Sequence, residues 1–177
     1  MSTVRRIAII GPARSGKDTV AQWLVKNAGH TMTQSTSLAA APIVVRHWNI
    51  DHSNRYAPSW PRVFWMETAK TNRRYWAGII AAYNWSDGSG CRLYREIIAA
   101  GNTLLCGIRR QEELDACLAE GLVEDVIRVY GGEPDPTWEL ENPSGEYWAV
   151  YNYEKSPELL DRRMAYLLNV MYGQEDD

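Results

Sequence analysis

The chain has 177 residues, of which 45% are hydrophobic and 23% are charged, and its formal net charge is −3. These values are typical of a single globular domain with a substantial core. No stretch approaches the roughly 18 apolar residues that a membrane-spanning helix needs, and the first residues lack a signal-peptide pattern. We therefore expect a cytoplasmic protein with no membrane partner. Three cysteines without metal-ligand or redox spacing predict buried free thiols.

Hydrophobic periodicity and the turn residues between apolar runs predict alternating strands and helices. In chain order we expect a strand at Val4–Ile10, a helix at Lys17–Asn27, a short strand at Thr31–Gln34, a helix at Leu38–His47, a helical stretch from Ser59 to about Asn84, a helix at Leu93–Ala100, a strand at Asn102–Gly107, a helix at Gln111–Glu120, strands at Asp125–Tyr130 and Tyr147–Tyr151, and a helix from Ser156 to about Tyr172. A strand, a helix and a strand with short connections form a parallel crossover. The sequence therefore predicts an α/β fold with a doubly wound parallel sheet and helices on both faces.

The most specific motif directly follows the first predicted strand. It reads Gly11-Pro-Ala-Arg-Ser-Gly-Lys-Asp-Thr19 and has the Gly-x-x-x-x-Gly-Lys spacing of a phosphate-binding loop between a strand and a helix. Glycines let backbone N–H groups turn toward phosphate oxygens, and the following helix presents its positive end to the same anion. The alternative is a glycine-rich turn that only caps the helix. We expect ATP to contact the whole loop, Gly11, Pro12, Ala13, Arg14, Ser15, Gly16, Lys17, Asp18 and Thr19.

Phosphoryl transfer depends on positioning and charge compensation, and several side chains of this loop suit those tasks. Lys17 would neutralise the β- and γ-phosphate oxygens. Asp18 stands where the motif has serine or threonine, so Asp18 or Thr19 would support Mg²⁺, directly or through water. Arg14 would contact the γ-phosphate or the acceptor.

Two later residues are expected beside the loop, because ligands of such sheets bind at the carboxyl ends of the strands. Arg109 follows the strand Asn102–Gly107 and would hold a substrate or transferring phosphate in a bidentate manner. The alternative is a surface arginine that caps a helix. Asn152 follows the last predicted strand and would lie on the same rim.

The charge of the chain is unevenly distributed, because residues 46–95 carry eight basic and three acidic side chains, together with ten of the nineteen aromatic residues. Basic residues interleaved with flat rings suit a polyanion with stackable bases. We therefore expect residues 48–95 to form a helical, lid-like substrate-binding insertion. The alternative is a tryptophan-rich helical core with a solvated basic face. The candidate substrate contacts are Asp51, Arg73, Arg74 and Trp76.

With these motifs the chain resembles the nucleotide kinases of tailed bacteriophages, a branch of the P-loop proteins. The resemblance is carried by the Gly16–Thr19 end of the loop, by Gly107-Ile-Arg109 with the following Gln111-Glu-Glu-Leu, and by the stretch from Tyr151 to Leu159. It covers both ends of the chain but not the middle, about residues 48–85. It implies a single P-loop kinase domain that uses ATP and Mg²⁺ in the cytoplasm of an infected bacterium, with Asn152 beside the adenine. Many members have an acid where this chain has Gly107, so Asp18 would stand in for it.

Two groups of that family differ in their acceptor. One phosphorylates free deoxynucleoside monophosphates, and the other phosphorylates the hydroxymethyl group of 5-hydroxymethyluracil within DNA. The basic, tryptophan-rich segment favours the DNA kinases, because it suits a base drawn out of the stack. A hydroxymethyl acceptor needs a general base, for which Asp18 and Asp51 are the candidates, whereas a phosphate acceptor needs none. A third hypothesis is a nucleotide-regulated nucleic-acid-binding protein that transfers phosphate to no acceptor.

Overall fold

The computed structural model describes residues 4–33, 35–43 and 73–173, and only the backbone of Arg73, Tyr75 and Trp76. This part of the chain contains the strands β1 (Ile7–Ile10), β2 (Leu104–Cys106), β3 (Asp125–Tyr130) and β4 (Trp148–Tyr151). It also contains the helices α1 (Lys17–Asn27), α2 (residues 36–43), α3 (Arg73–Trp85), α4 (Arg92–Ala99), α5 (Gln111–Ala119) and α6 (Pro157–Tyr172). None of the described helices is both long and apolar enough to cross a bilayer.

The four strands form one parallel sheet in the order β2-β1-β3-β4. β1 is central, and its first residue, Ile7, lies opposite Leu104 of β2 and Asp125 of β3. Every residue of β1 and β2 is buried, as expected for parallel strands with helices over both faces. The predicted α/β class and the parallel sheet are therefore confirmed.

Two hydrophobic cores lie on opposite faces of the sheet, because successive strand residues point to opposite sides. Ile7 and Ile9 pack with residues of α1 and α6, whereas Ala8 and Ile10 pack with residues of α4 and α5. The cysteines are buried free thiols, as predicted. Helices on both faces leave the ends of the strands as the places where loops meet.

Most predicted boundaries agree with the structure to within three residues, and those of α1 and β3 agree fully. The predicted strand at Thr31–Gln34 is wrong over its described part, because residues 31–33 form no strand. The N–H of Thr31 donates to the hydroxyl of Thr103 at 2.8 Å, and that of Thr33 to the side chain of Asn102 at 2.6 Å. Side-chain oxygens thus accept hydrogen bonds from N–H groups that would otherwise donate to a neighbouring strand.

Residues 48–72 of the predicted insertion lie outside the described part of the chain, and several of its later residues pack in the core. Tyr94 is 1% exposed and belongs to the core beside α4 and α5. Arg95 forms ion pairs with Asp87 at 2.9 Å and with Glu120 at 2.8 Å. Within residues 73–95, the described rings and charges thus include ones that serve the fold.

A buried polar network joins α3, α4 and α5. Glu113 is 3% exposed and accepts hydrogen bonds from Nδ2 of Asn84 at 3.2 Å and from the hydroxyl of Tyr94 at 2.8 Å. The oxygen of Asn84 accepts a further bond from the N–H of Leu93. Burial raises the pKa of Glu113, and the two donated hydrogen bonds oppose that rise. The charged carboxylate therefore depends on both donors.

The substitution Tyr94→Phe removes one of these donors and keeps the ring. We expect the free energy of unfolding to fall by about 1–3 kcal/mol near neutral pH, because a buried acceptor loses its partner. The raised pKa of Glu113 means that the fold favours the protonated carboxyl and loses stability as the pH rises above the ordinary carboxyl range. The loss in the variant is therefore expected to be smaller at pH 5 than at pH 7, because lowering the pH favours the protonated carboxyl, which needs the donor less.

Urea unfolding at the two pH values measures this difference. The matched control is Tyr166→Phe, since the Tyr166 side chain is 73% exposed and its hydroxyl has water as a partner. Equal losses in the two variants would contradict the role assigned to the Tyr94 hydroxyl.

Candidate functional site

The carboxyl ends of the four parallel strands lie at one edge of the sheet, and a loop follows each of them. The residues at which these loops begin are Gly11, Gly107, Gly131 and Asn152. Hydrogen bonds among the loops bring Arg109 and Asn152 to the loop that carries Lys17. The rim predicted from the sequence is therefore assembled here, at the carboxyl edge where parallel α/β sheets commonly bind their ligands.

The predicted substrate contacts are described only in part. Asp51 lies outside the described residues, and only the backbone of Arg73 and Trp76 is described. Arg74 is exposed on α3. The roles of these four side chains stay predictions.

The backbone of the Gly11–Thr19 loop is held from outside by the loops that follow β3 and β4. Two of its residues, Arg14 and Gly16, have positive φ angles of 56° and 93°. A side chain at Gly16 would also collide with Asn152, because its Cβ would lie 2.3 Å from Nδ2. Three consecutive carbonyl oxygens accept hydrogen bonds: Ala13 O from Glu133 N at 2.8 Å, Arg14 O from Lys155 Nζ at 2.6 Å, and Ser15 O from Asn152 Nδ2 at 2.9 Å.

These bonds orient the donors of the same peptide units. In a trans peptide the C=O and the following N–H point in opposite directions, so the N–H groups of residues 14–16 face away from the outer loops. Among the described residues, no acceptor takes the N–H of Gly16 or Lys17. They lie at the start of α1, where the helix dipole adds positive potential. Convergent N–H groups at a helix start form a site for an anion.

Lys155 is a part of this site that the sequence did not reveal. It is one of two non-glycine residues in the described chain with a positive φ, and its Nζ donates to a carbonyl of the other, Arg14. The same Nζ donates to the carbonyl of Gly131 at 2.5 Å. Left-handed backbone in residues other than glycine is costly and concentrates at functional sites. No spacing pattern distinguishes Lys155 from other lysines, because both its acceptors are backbone atoms.

Asp135 is a second residue that sequence reasoning missed. Its side chain is fully buried, and Oδ2 accepts hydrogen bonds from Arg109 Nη1 at 2.5 Å and from the N–H of Ala13 at 3.2 Å. Thr137 donates its N–H and its hydroxyl to Oδ1. Burial alone raises the pKa of Asp135, but the bonds from Thr137 and Arg109 outweigh it and lower the pKa to about 2. Asp135 therefore fixes Arg109 beside the loop and compensates its charge.

Three polar side chains of the loop, those of Arg14, Asp18 and Thr19, lie toward solvent, whereas Ser15 is buried. Asp18 is exposed in the first turn of α1 and accepts a hydrogen bond from the thiol of Cys106 at 3.2 Å. Burial and the Asp18 carboxylate raise the pKa of Cys106, so the thiol stays a donor. Arg14 pairs with Glu133 at 3.1 Å on the exposed side of the loop. Thr19 is exposed.

The described side chains do not form a metal site of their own. No group of three or more His, Cys, Asp or Glu residues in the described ranges could hold a metal ion. Asp18 and Thr19 are the exposed oxygen-bearing side chains of the loop, and Mg²⁺ at phosphate-binding sites takes one or two protein ligands together with substrate phosphates and water. They therefore suit a magnesium ion that arrives with a nucleotide.

The chain matches no protein-family model, no curated protein and no solved structure. The loop geometry and its hydrogen bonds therefore carry the functional proposal.

The substitution Asp135→Asn tests the cluster around the loop. We expect the free energy of unfolding to fall by about 1–3 kcal/mol at neutral pH, because the amide nitrogen cannot accept the bonds made to one carboxylate oxygen. A pKa lowered to about 2 means that this stabilisation is present above the ordinary carboxyl pKa and is lost as the pH falls toward 2. The difference between the variant and the parent protein should therefore shrink below about pH 4.

Thermal unfolding between pH 7 and pH 2 measures the effect. Glu133→Gln serves as the control, since the Glu133 side chain is 59% exposed and exposed ion pairs contribute less than about 1 kcal/mol. A difference for Asp135→Asn that does not change with pH would contradict the assigned role of its charge.

Proposed function

We propose that this protein is an ATP-dependent phosphotransferase that binds the triphosphate on the Gly11–Thr19 loop. The observation that carries the proposal is the set of three outward carbonyl bonds, together with the N–H groups of Gly16 and Lys17 at the start of α1, which have no acceptor among the described residues. The order of a buried strand, this loop and a helix that begins at Lys17 supports the same assignment. The parallel sheet is compatible with a P-loop fold and also with other Rossmann-like folds.

Five side chains at the carboxyl edge of the sheet have a role in this proposal. Lys17 neutralises the β- and γ-phosphate oxygens, and Asp18 or Thr19 supports the magnesium ion. Arg109 is held by Asp135 through Nη1 and presents its other nitrogens to the transferring group. Asn152 lies beside the adenine and also holds Ser15. Transfer then relies on positioning and on compensation of negative charge, which is the main requirement of phosphoryl transfer.

The acceptor that we propose first is the hydroxymethyl group of 5-hydroxymethyluracil in DNA. The support is the excess of basic and aromatic residues between 46 and 95, together with the resemblance to phage nucleotide kinases. The hydroxyl must lose a proton, and Asp18 is the described carboxylate nearest in sequence to Lys17 that is suited to accept it. Asp51 is the other candidate base.

A free deoxynucleoside monophosphate is the second candidate acceptor. The observation that favours it is the compensation of Arg95 by Asp87 and Glu120 and the burial of Tyr94, which remove these residues from a DNA-binding surface. A phosphate acceptor requires no general base, and it leaves Asp18 free to order the magnesium hydration shell.

The assay offers γ-labelled ATP and Mg²⁺ to DNA containing 5-hydroxymethyluracil and, separately, to the deoxynucleoside monophosphates. Label in the polymer supports the DNA kinase, and label in a nucleoside diphosphate supports the second candidate. Binding of ATP and DNA without transfer to either acceptor would instead favour a nucleotide-regulated binding protein.

The substitution Lys17→Ala should lower the transfer rate about a hundredfold or more, because a charge that stabilises the transition state is lost. Lys26→Ala provides a matched control, since Lys26 lies in the last turn of the same helix and outside the proposed site. We expect the control to retain its rate, and both variants to retain their unfolding temperature. A Lys17→Ala variant with unchanged turnover would refute the phosphate-loop assignment.

The substitution Lys155→Met should weaken ATP binding about tenfold, because the loop loses the bonds to Arg14 and Gly131 that hold it open toward phosphate. Isothermal titration with magnesium-ATP measures the dissociation constant. Lys155→Arg keeps the positive charge and should recover part of the affinity. If Lys155→Met binds ATP as tightly as the parent protein, the outer bonds do not shape the site.

A further inference from the structure

Near the carboxyl edge of the sheet, a buried arginine of β3 has no charged partner among the described residues. Arg128 lies on β3, is 2% exposed and is paired in register with Ile10, the residue directly before the Gly11–Thr19 loop. Its side chain points to the face of the sheet that α4 and α5 cover, because Val126, two residues earlier, packs there. No carboxylate of the described residues forms an ion pair with it. An arginine keeps its positive charge in proteins, and a buried charge without a partner is costly.

The surroundings of the Arg128 guanidinium leave one of its edges without a hydrogen-bond acceptor. The ring of Tyr130 lies 4.4 Å from it and the ring of Trp138 lies 4.9 Å from it, so aromatic groups pack against the guanidinium. Nη1 donates to the carbonyl of Val129 at 2.6 Å. Nε is buried and donates to no atom of the described residues. The edge formed by Nε and Nη2 is therefore the one that needs an acceptor.

A second unpaired donor belongs to the same surroundings. The indole Nε1 of Trp138 is buried and has no acceptor among the described residues. The N–H of Trp138 donates to the carbonyl of Asp135, which ties this indole to the cluster that holds Arg109. Buried donors without partners are rare in native proteins and call for an explanation such as a ligand. Two donors and a positive charge, without any acceptor, suit an anionic oxygen ligand.

We propose that the Nε–Nη2 edge of Arg128 and Nε1 of Trp138 bind a phosphate group of the acceptor substrate. The two parallel N–H bonds of this edge can donate to two oxygens of one phosphate. A lysine in the same place offers no such planar pair of donors. Pairing with Ile10 places the site next to the loop that holds the donor triphosphate. The inference rests on the proposed phosphotransferase function and adds a recognition site for the acceptor. The phosphate belongs either to a free nucleotide or to a DNA strand, and the two sources share this chemistry.

The test uses the full chain with Lys17→Ala as the background, so that the triphosphate loop contributes little phosphate binding. Isothermal titration compares dTMP, a phosphomonoester, with an octathymidylate that has no terminal phosphate and offers only diesters. Adding Arg128→Lys should weaken binding of at least one probe about tenfold or more, because the bidentate edge is lost. Arg162→Lys, an exposed arginine on α6, is the matched control and should have no effect.

A second, more conservative variant keeps the inference testable if Arg128→Lys does not fold. Trp138→Phe keeps one aromatic ring near the guanidinium and removes the indole N–H with the ring that carries it, and it should weaken binding by about threefold to tenfold. A loss of affinity for dTMP alone indicates that the site binds the phosphate of a free nucleotide. A loss of affinity for the octathymidylate alone indicates that it binds the backbone of a DNA strand. Unchanged affinity for both probes in Trp138→Phe and in folded Arg128→Lys would overturn the inference.

ATP binding by the parent protein separates this inference from the proposed function. A parent protein that binds no ATP refutes the phosphotransferase and with it the acceptor role of the site. A parent protein that binds ATP, while Arg128 has no effect on either probe, refutes only the acceptor site.

Discussion

The hydrogen bonds to three consecutive carbonyls of the Gly11–Thr19 loop are the constraint on which the strand edge depends. A loop with free carbonyls would expose them to water and sample many backbone conformations, at an entropic cost on ordering. Here the folded protein supplies the partners through Glu133, Asn152 and Lys155. The donors of the loop are therefore oriented before any anion arrives, and binding requires little reorganisation.

These partners lie far along the chain from the loop, so the site depends on the whole sheet. Ser15 and Asn152 are 137 residues apart in sequence, and Arg14 and Lys155 are 141 apart. They meet because β3 lies next to β1, and β4 next to β3. The loops approach so closely that a Cβ at Gly131 would lie 2.7 Å from the backbone of Asn152. The strand β4 pairs only with β3 in the described sheet. Fraying of β4 would therefore break the hydrogen bonds that Asn152 and Lys155 donate to the loop.

The features predicted correctly from the sequence are those with a local signal. The strand β1 was predicted from a buried apolar run that ends at a glycine. The bounds of α1 were predicted from the amphipathic pattern after Lys17 and the glycine that follows the helix. Asp135 and Lys155 gave no such signal, because the partners that bring them to the loop are backbone atoms and an arginine from distant segments. The strand predicted at 31–34 failed for the opposite reason. Its local pattern was typical of a strand, but Asn102 and Thr103 provide side-chain acceptors for its N–H groups.

Arg109 and Arg128 differ in how their charges are compensated, which their positions in the sequence did not indicate. Arg109 follows a strand at the expected edge, yet its charge is compensated by the buried Asp135 carboxylate at 2.5 Å. An arginine in such a pair orients its remaining donors but contributes little net attraction for an anion. Arg128 lies within a strand, where its sequence neighbours suggest only core packing, and no described carboxylate compensates it. If both proposals hold, net charge at the point of contact, rather than nearness to a strand end, distinguishes an arginine that attracts phosphate from one that orients it.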